Sequence, residues 1–200
     1  MRVKTDEKRL EILQVAAKVF GQSGYHGASM SAISAELGGS KATLYGYFSS
    51  KEELFAAVLM QSLDDRGNEL FQIMEEGEDE DLGILLRRFG RAYLDFITDQ
   101  DALALFRSAV SEEFEGKLSQ ELYRNGQVRG WGEVEAFFAA KMAQGLLCGP
   151  SAKIISLHLK GLLECGISEP IMYRCPPHLD FDVAVDSAVD AFMKAYGGAG

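Results

Sequence analysis

A glycine pair at positions 38 and 39, with Ser40 directly behind it, dictates how the first third of this 200-residue chain is cut. Glycine lacks a Cβ and enters the left-handed conformation that closes the last turn of a helix, and serine is a preferred N-cap for the next one. Upstream, Ser29 precedes a short stretch holding Ile33 and Leu37; downstream, Leu44 and Phe48 recur four residues apart. The spacing predicts one short helix over 29–37 and another over 40–48, joined by a turn of about three residues.

The rest of the chain is also helical in pattern. Leu10, Leu13, Ala16, Ala17 and Phe20 repeat at helical spacing, with Asp6 and Glu7 ahead and Gly21 and Gly24 beyond, which predicts an amphipathic helix over 6–22. Ser50 and Glu53 have the spacing of a capping box, so a fourth helix is expected to open there and run past Leu63. Six acids in the seven residues 75–81 read as a solvated connection. Helical spacing then recurs over 82–97, 102–110, 118–147, 151–166 and 182–196, while Pro170, Pro176 and Pro177 predict irregular structure over 169–179. No stretch alternates apolar and polar residues as a half-buried strand does. The expected fold is all-α, with about nine helices.

Composition narrows the function classes. With 47% apolar residues the chain can bury a core without disulfides or metal staples. Cys148, Cys165 and Cys175 are odd in number and form no C-x-x-C pair, and the first twenty residues are charged and amphipathic rather than secretory. The longest apolar-rich stretch, 154–167, carries Lys160 and Glu164 and is too short to span a bilayer. A cytoplasmic protein with no membrane span is expected. Metallohydrolase, nucleophile-elbow and phosphate-loop motifs are missing, and His26, His158 and His178 have no ligand spacing with the cysteines. Neither catalytic residues, nor a metal, nor a cofactor are expected.

A net charge of -10 argues at first against a polyanionic partner, but the charge is unevenly spread. Residues 1–60 hold seven Lys and Arg against six Asp and Glu (+1), and residues 61–200 hold thirteen against twenty-four (-11). A polyanion would meet the first third. There, at 100° per residue over 41–48, Leu44 and Phe48 share a face that can pack on Ile33 and Leu37. The opposite face presents Ala42, Thr43 and Gly46, flanked by Tyr45 and Tyr47. Small residues let a helix backbone approach the floor of a major groove.

The run from Ile33 to Phe55, I-S-A-E-L-G-G-S-K-A-T-L-Y-G-Y-F-S-S-K-E-E-L-F, resembles the signature of the TetR family of transcriptional regulators, S-K-x-T-L-Y-x-Y-F-x-S-K-E-x-L after an isoleucine-centred helix and a glycine turn. Phe20, Gly24, Tyr25 and Ser29 stand where that family places them, and the likeness covers about residues 6–60. It implies a DNA-binding domain over 1–55 with its helix-turn-helix at 29–48. It also implies that Lys41, Ala42 and Gly46 face bases while Thr43, Tyr45, Tyr47 and Lys51 meet phosphates, with Ser29 and Ser40 in the same DNA-facing set. Chemistry agrees: a lysine at the recognition-helix start matches the paired acceptors of guanine, an alanine can touch a thymine methyl, and hydroxyls donate to phosphates. His26 is a further phosphate candidate, and Lys4, Lys8 and Arg9 form a basic arm diluted by Asp6, Glu7 and Glu11. Ser34 and Leu37 replace smaller family residues and Gly39 replaces a valine; the missing valine side chain is expected to loosen the turn by about 1 kcal/mol.

The stretch L-A-L-F-R-S-A-V-S-E-E-F at 103–114 and later helical segments resemble the AefR-like C-terminal class of the same family. This implies a ligand-binding and dimerisation domain over 56–200. Apolar residues of 154–167 cover more than one helix face, and Val185, Ala188, Val189, Phe192 and Tyr196 form a stripe. The resemblance implies that the last two helices pair with their symmetry mates, through Ile155, Leu159, Leu162, Leu163, Val185, Val189 and Phe192. Phe71, Phe89, Tyr93, Phe106, Trp131, Phe138, His158 and Cys165 form the pool from which an effector pocket is expected. The expected protein is a homodimeric regulator, a repressor released from a palindromic double-stranded operator by a small apolar or amphipathic effector. Two alternatives stay open: a helical binding or scaffold protein that no longer reads DNA, motivated by a pI near 4.8 and by Gly39, and a small helical enzyme.

Overall fold

The computed structural model describes residues 5–77, 80–100 and 123–198, with 103, 107 and 120 as single positions. Among them the chain forms nine α-helices and no strand: α1 (Asp6–Gly27), α2 (Met30–Glu36), α3 (Lys41–Tyr47), α4 (Lys51–Glu76), α5 (Leu82–Thr98), α6 (Arg129–Ala143), α7 (Ala152–Glu164), α8 (Ser168–Met172) and α9 (Phe181–Tyr196). A π-helical stretch, Tyr123–Val128, leads directly into α6. The segment expected over 102–110 lies outside the described residues except at 103 and 107. Contacts divide the chain into two compact units, Met1–Asp65 with Gln100–Asn125, and Arg66–Asp99 with Gly126–Gly200, so α4 contributes to both.

In the first unit, helix boundaries follow the capping residues. Thr5, Ser29 and Ser40 each accept a backbone N–H from the first turn of α1, α2 and α3. α1 runs five residues beyond its expected end because Gly24, at φ 67°, breaks the helix without stopping it and sends Tyr25 into the core. That core joins Ile12, Ala16 and Phe20 to Ile33, Leu44, Phe48 and Phe55, with the Phe20 and Phe55 rings edge to face at 4.9 Å. The α4 cap differs from the expected box: Glu53 N–H donates to Ser50 Oγ at 3.2 Å, but the Glu53 carboxylate accepts from the N–H and hydroxyl of Ser49.

The second unit packs α5, α6, α7 and α9 around Leu86, Phe89, Phe138, Ile155, Leu159, Val189 and Phe192. Gly90 sets the approach of α5, since a Cβ there would lie 2.8 Å from Leu163 Cδ2 and 3.2 Å from Val185 Cγ1. An exposed ion-pair ladder follows the α5–α9 seam, Arg87 to Asp186 and Asp190 and Arg91 to Asp182 and Asp95. Exposed pairs of this kind contribute at most about 1 kcal/mol each. α8 occupies part of the segment expected to be irregular: Pro170 is its third residue, where a helix has no internal use for the missing N–H. The chain leaves α6 before Leu147, turning at Gly145 (φ 76°), and Leu147 bridges Gly197 beyond α9.

The expected dimer residues are placed differently. Ile155, Leu159, Leu163, Val185, Val189 and Phe192 are buried within their own unit, and Leu162 is half-buried. The apolar residues of α7 cover more than one of its faces, and its inner half is taken by α5, α6 and α9. Its outward half carries Lys153, Ile154, Leu157, His158 and Gly161, with Cys165 at its C-cap, beside Val183, Ser187 and Ala191 on the outer face of α9. Among the described residues, no helix is long and apolar enough to cross a membrane.

Candidate nucleic-acid interface and sensor core

α3 is held from below and left open above. Leu44 is fully buried against the Ile33 side of the core, whereas Lys41, Ala42, Tyr45 and Gly46 are exposed, Tyr45 at 51%. Ser40 Oγ caps Thr43 N–H at 3.2 Å and lies 3.0 Å from Thr43 Oγ1, so both hydroxyls stand at the positive end of the helix. Ser29 caps α2 on the same pattern, accepting from Ala32 N–H at 3.1 Å. Gly38 supplies the left-handed turn at φ 66°.

Several side chains expected on DNA are tied into the protein. The Tyr47 hydroxyl accepts the Thr5 N–H at 2.9 Å, which joins the start of α1 to the end of α3. Lys51 turns inward: its ammonium donates to the carbonyls of Tyr25 (2.9 Å) and Ala28 (3.2 Å) and sits 4.1 Å from the Tyr25 ring centroid. It closes the carbonyl end of α1. The Tyr25 hydroxyl donates to Glu52 at 2.8 Å. The Glu52 carboxyl lies below the ordinary glutamate range, first through its own backbone N–H and then through Tyr25. His26 is exposed, edge-on to the Tyr25 ring. Lys8 pairs with Glu11 at 2.6 Å, Arg9 lies over the Phe48 ring, and Lys4 lies outside the described residues.

One hydrogen bond is not foreshadowed by the sequence pattern. Ser34 is buried, and its hydroxyl donates to the Gly39 carbonyl at 3.1 Å, across the turn between α2 and α3. Two of the three positions that depart from the family pattern therefore hold each other, and the turn expected to be loosened by Gly39 is braced. A serine on the inward face of an otherwise apolar short helix was the available signal.

Residues 12–58 match the family model for bacterial regulatory proteins of the tetR family, and residues 85–198 match that for the C-terminal domain of AefR-like transcriptional repressors. The chain belongs to the TetR family. It is 38% identical over 96 residues to the HTH-type transcriptional activator FasR of Mycolicibacterium smegmatis, covering 48% of this chain and 43% of FasR. It is 46% identical over 57 residues to the HTH-type transcriptional regulator RutR of Escherichia coli, covering 28% of this chain and 27% of RutR. In both, the matched stretch spans less than half of the relative's own length. A TetR-family regulator from Mesorhizobium loti has the same fold, with a TM-score of 0.88 at 24% identity over 97% of this chain and all of that one. TetR-family proteins are DNA-binding transcriptional regulators, not enzymes, and are typically repressors controlled by small ligands.

In this TetR-family chain the expected sensor residues part company. Phe89, Tyr93 and Trp131 form one aromatic cluster, Trp131 meeting Tyr93 edge to face at 5.2 Å and Phe89 at 6.1 Å. Phe138 is buried in the same core, against Phe192, and Phe71 is half-buried. His158 and Cys165, seven residues apart and so on one face of α7, are both exposed. His158 hydrogen-bonds the Tyr196 hydroxyl rather than lining the core. Phe106 lies outside the described residues. The Tyr93 hydroxyl donates to Glu164, which also binds Lys160 at 2.6 Å. Burial and the Glu164 charge push the Tyr93 phenol far above its ordinary range, so it stays a neutral donor. Among the described residues, no group of three His, Cys, Asp or Glu could hold a metal.

Proposed function

We propose that this TetR-family regulator is a homodimeric repressor that binds a palindromic operator through residues 1–55, with the helix-turn-helix at 29–48, and leaves it when a small apolar or amphipathic effector binds within residues 56–200. The observation that carries the reading is α3 itself: its apolar side is sealed at Leu44 while Lys41, Ala42, Tyr45 and Gly46 stand exposed on the other side, with the Ser40 and Thr43 hydroxyls at its N-terminus. Lys41 reads a base edge and Ala42 and Gly46 admit the groove floor. Ser29, Ser40, Thr43, Tyr45 and Tyr47 serve the phosphates. The protein acts in the cytoplasm, where its operator lies.

Dimerisation uses the outward stripe of α7 and α9, in which Ile154, Leu157 and Val183 remain large, apolar and exposed. The same patch on both subunits generates the two-fold axis that a palindrome requires. The effector acts by its differential affinity for the DNA-competent and released arrangements. The test is a titration of protein against DNA flanking its own gene at several salt concentrations. Lys41→Ala should weaken binding by about 1–3 kcal/mol and relax preference at one position per half-site. Unchanged discrimination at every position would move base reading to other residues. Transcription from that promoter with and without the protein gives the sign of regulation.

A further inference from the structure

We propose that Gly46 seats the 5-methyl group of a thymine on the floor of the major groove and thereby specifies T at one position of each half-site; this rests on the reading above in which α3 enters that groove. Glycine weakens a helix relative to alanine, and it is needed inside one for a left-handed turn or for a close approach. The first unit uses Gly38 for the turn, at φ 66°, and the second uses Gly90 for the approach, where a Cβ would lie 2.8 Å from Leu163 Cδ2. Gly46 serves neither purpose. Its φ is not left-handed, and α3 is ended two residues later by Phe48, whose backbone is extended at φ -132°. A Cβ on Gly46 would find no atom within 4 Å beyond its chain neighbours and the backbone of its own helix.

Alanine would therefore fit within the protein and hold the helix better, and what the missing Cβ makes room for lies outside. Gly46 is about 200° round the helix from Leu44, the fully buried residue of α3, so its bare Cα faces away from the core, one turn on from exposed Ala42. Between exposed Tyr45 and half-buried Tyr47 it leaves a gap the size of a methyl group. The base edges of the major groove offer hydrogen-bonding atoms and a single apolar projection, the thymine 5-methyl. A methyl-sized gap with no side-chain donor or acceptor suits that projection and leaves the polar edge of a G·C pair without a partner.

The full-length protein is used to select an operator from a random-sequence duplex pool, and each T of a half-site is then replaced by deoxyuridine, which removes only the methyl group. At the seated position the replacement should weaken wild-type binding about fourfold per half-site, the worth of a buried methyl group. Gly46→Ala should bind the original operator about tenfold more weakly or worse and recover when that same position carries deoxyuridine, while its thermal midpoint rises. Gly21→Ala, the same change at an equally open position of α1, should raise the midpoint and leave operator binding as it was. The proposal is overturned if no deoxyuridine position weakens the wild type, if deoxyuridine fails to restore Gly46→Ala, or if Gly21→Ala loses binding to the same extent. Failure to select any duplex would sink the operator reading and this inference together, whereas a selected operator with no methyl-dependent position sinks this inference alone.

Discussion

The two units use their polar side chains in opposite ways. In the first, hydroxyls and the Lys51 ammonium go to helix ends and to one turn: Thr5, Ser29 and Ser40 at N-termini, Lys51 on the last carbonyls of α1, Ser34 on Gly39. In the second, charges run along a helix seam, Arg87 and Arg91 to three aspartates of α9, and a tyrosine network enters the aromatic core. The first arrangement fixes how one short helix is presented, and leaves the outer face of that helix free. The second fastens large helices at their rims and keeps adjustable polar groups inside. A DNA reader and a ligand sensor need these different arrangements, and both units are acidic overall: the +1 is confined to residues 1–60, and residues 61–200, which the two units share, carry -11.

The comparison is broken most forcefully from inside the cores. Phe192→Ala removes a fully buried ring and should cost about 3–5 kcal/mol, and Leu44→Ala about 2–5 kcal/mol. They should differ in consequence. In denaturant titrations both lose stability, but in native buffer only Leu44→Ala should lose operator binding while the protein remains dimeric. Equal loss of DNA binding at equal folded fraction would mean that α3 is not independently positioned by its own core.

Next in size is the proposed dimer face. Leu157 is 50% exposed on α7 and Leu159, two residues on, is fully buried. Leu157→Glu should give a folded monomer by light scattering, because the charge stays solvated until a second copy would bury it. Leu159→Glu should unfold the protein, since the same charge lands in the core. A Leu157→Glu protein that stays dimeric at micromolar concentration would place the interface elsewhere.

Lys51 separates capping from phosphate binding. With its ammonium on two carbonyls and the Tyr25 ring, Lys51→Met should lower stability by about 1–2 kcal/mol and weaken operator binding without changing the slope of log K against log salt. A slope flattened by about one per subunit would return Lys51 to the phosphate backbone.

What the sequence made legible follows the range of the interactions. α2 and α3 were readable because Ser29, Gly38 and Ser40 act within four residues of themselves, and a capping hydroxyl needs nothing distant. Lys51 was not, because its partners lie 23 and 26 residues away, fixed by the break at Gly24. The apolar residues of 154–167 cover more than one helix face, and such a helix does not reveal which half its neighbours cover. The resemblance therefore offers Ile155 and Leu159 for the dimer face, whereas both are buried within their own unit. Pro170 misleads for a related reason: a proline forbids the middle of a helix, not its first turn.

The smallest effect is the most specific to this chain. Ser34→Ala removes the donor to the Gly39 carbonyl and should cost about 0.5–1.5 kcal/mol. Gly39→Ala should act in the other direction. Gly39 does not occupy the left-handed region, which falls to Gly38, and a Cβ on it would meet Leu37 Cδ2 at 3.7 Å, an ordinary contact. Restricting the unfolded chain at such a position stabilises by about 0.4–1 kcal/mol. The hydrogen bond uses the Gly39 carbonyl, which alanine keeps, so the two substitutions should be close to additive in the double variant. Urea midpoints at constant slope measure all three. If Gly39→Ala destabilises, the turn needs the glycine itself and the brace from Ser34 is incidental. If it stabilises while Ser34→Ala destabilises, the orientation of α3 depends on a hydroxyl that the family pattern does not supply, and the first unit's rule, polar groups reserved for helix ends and turns, extends to its most exposed joint.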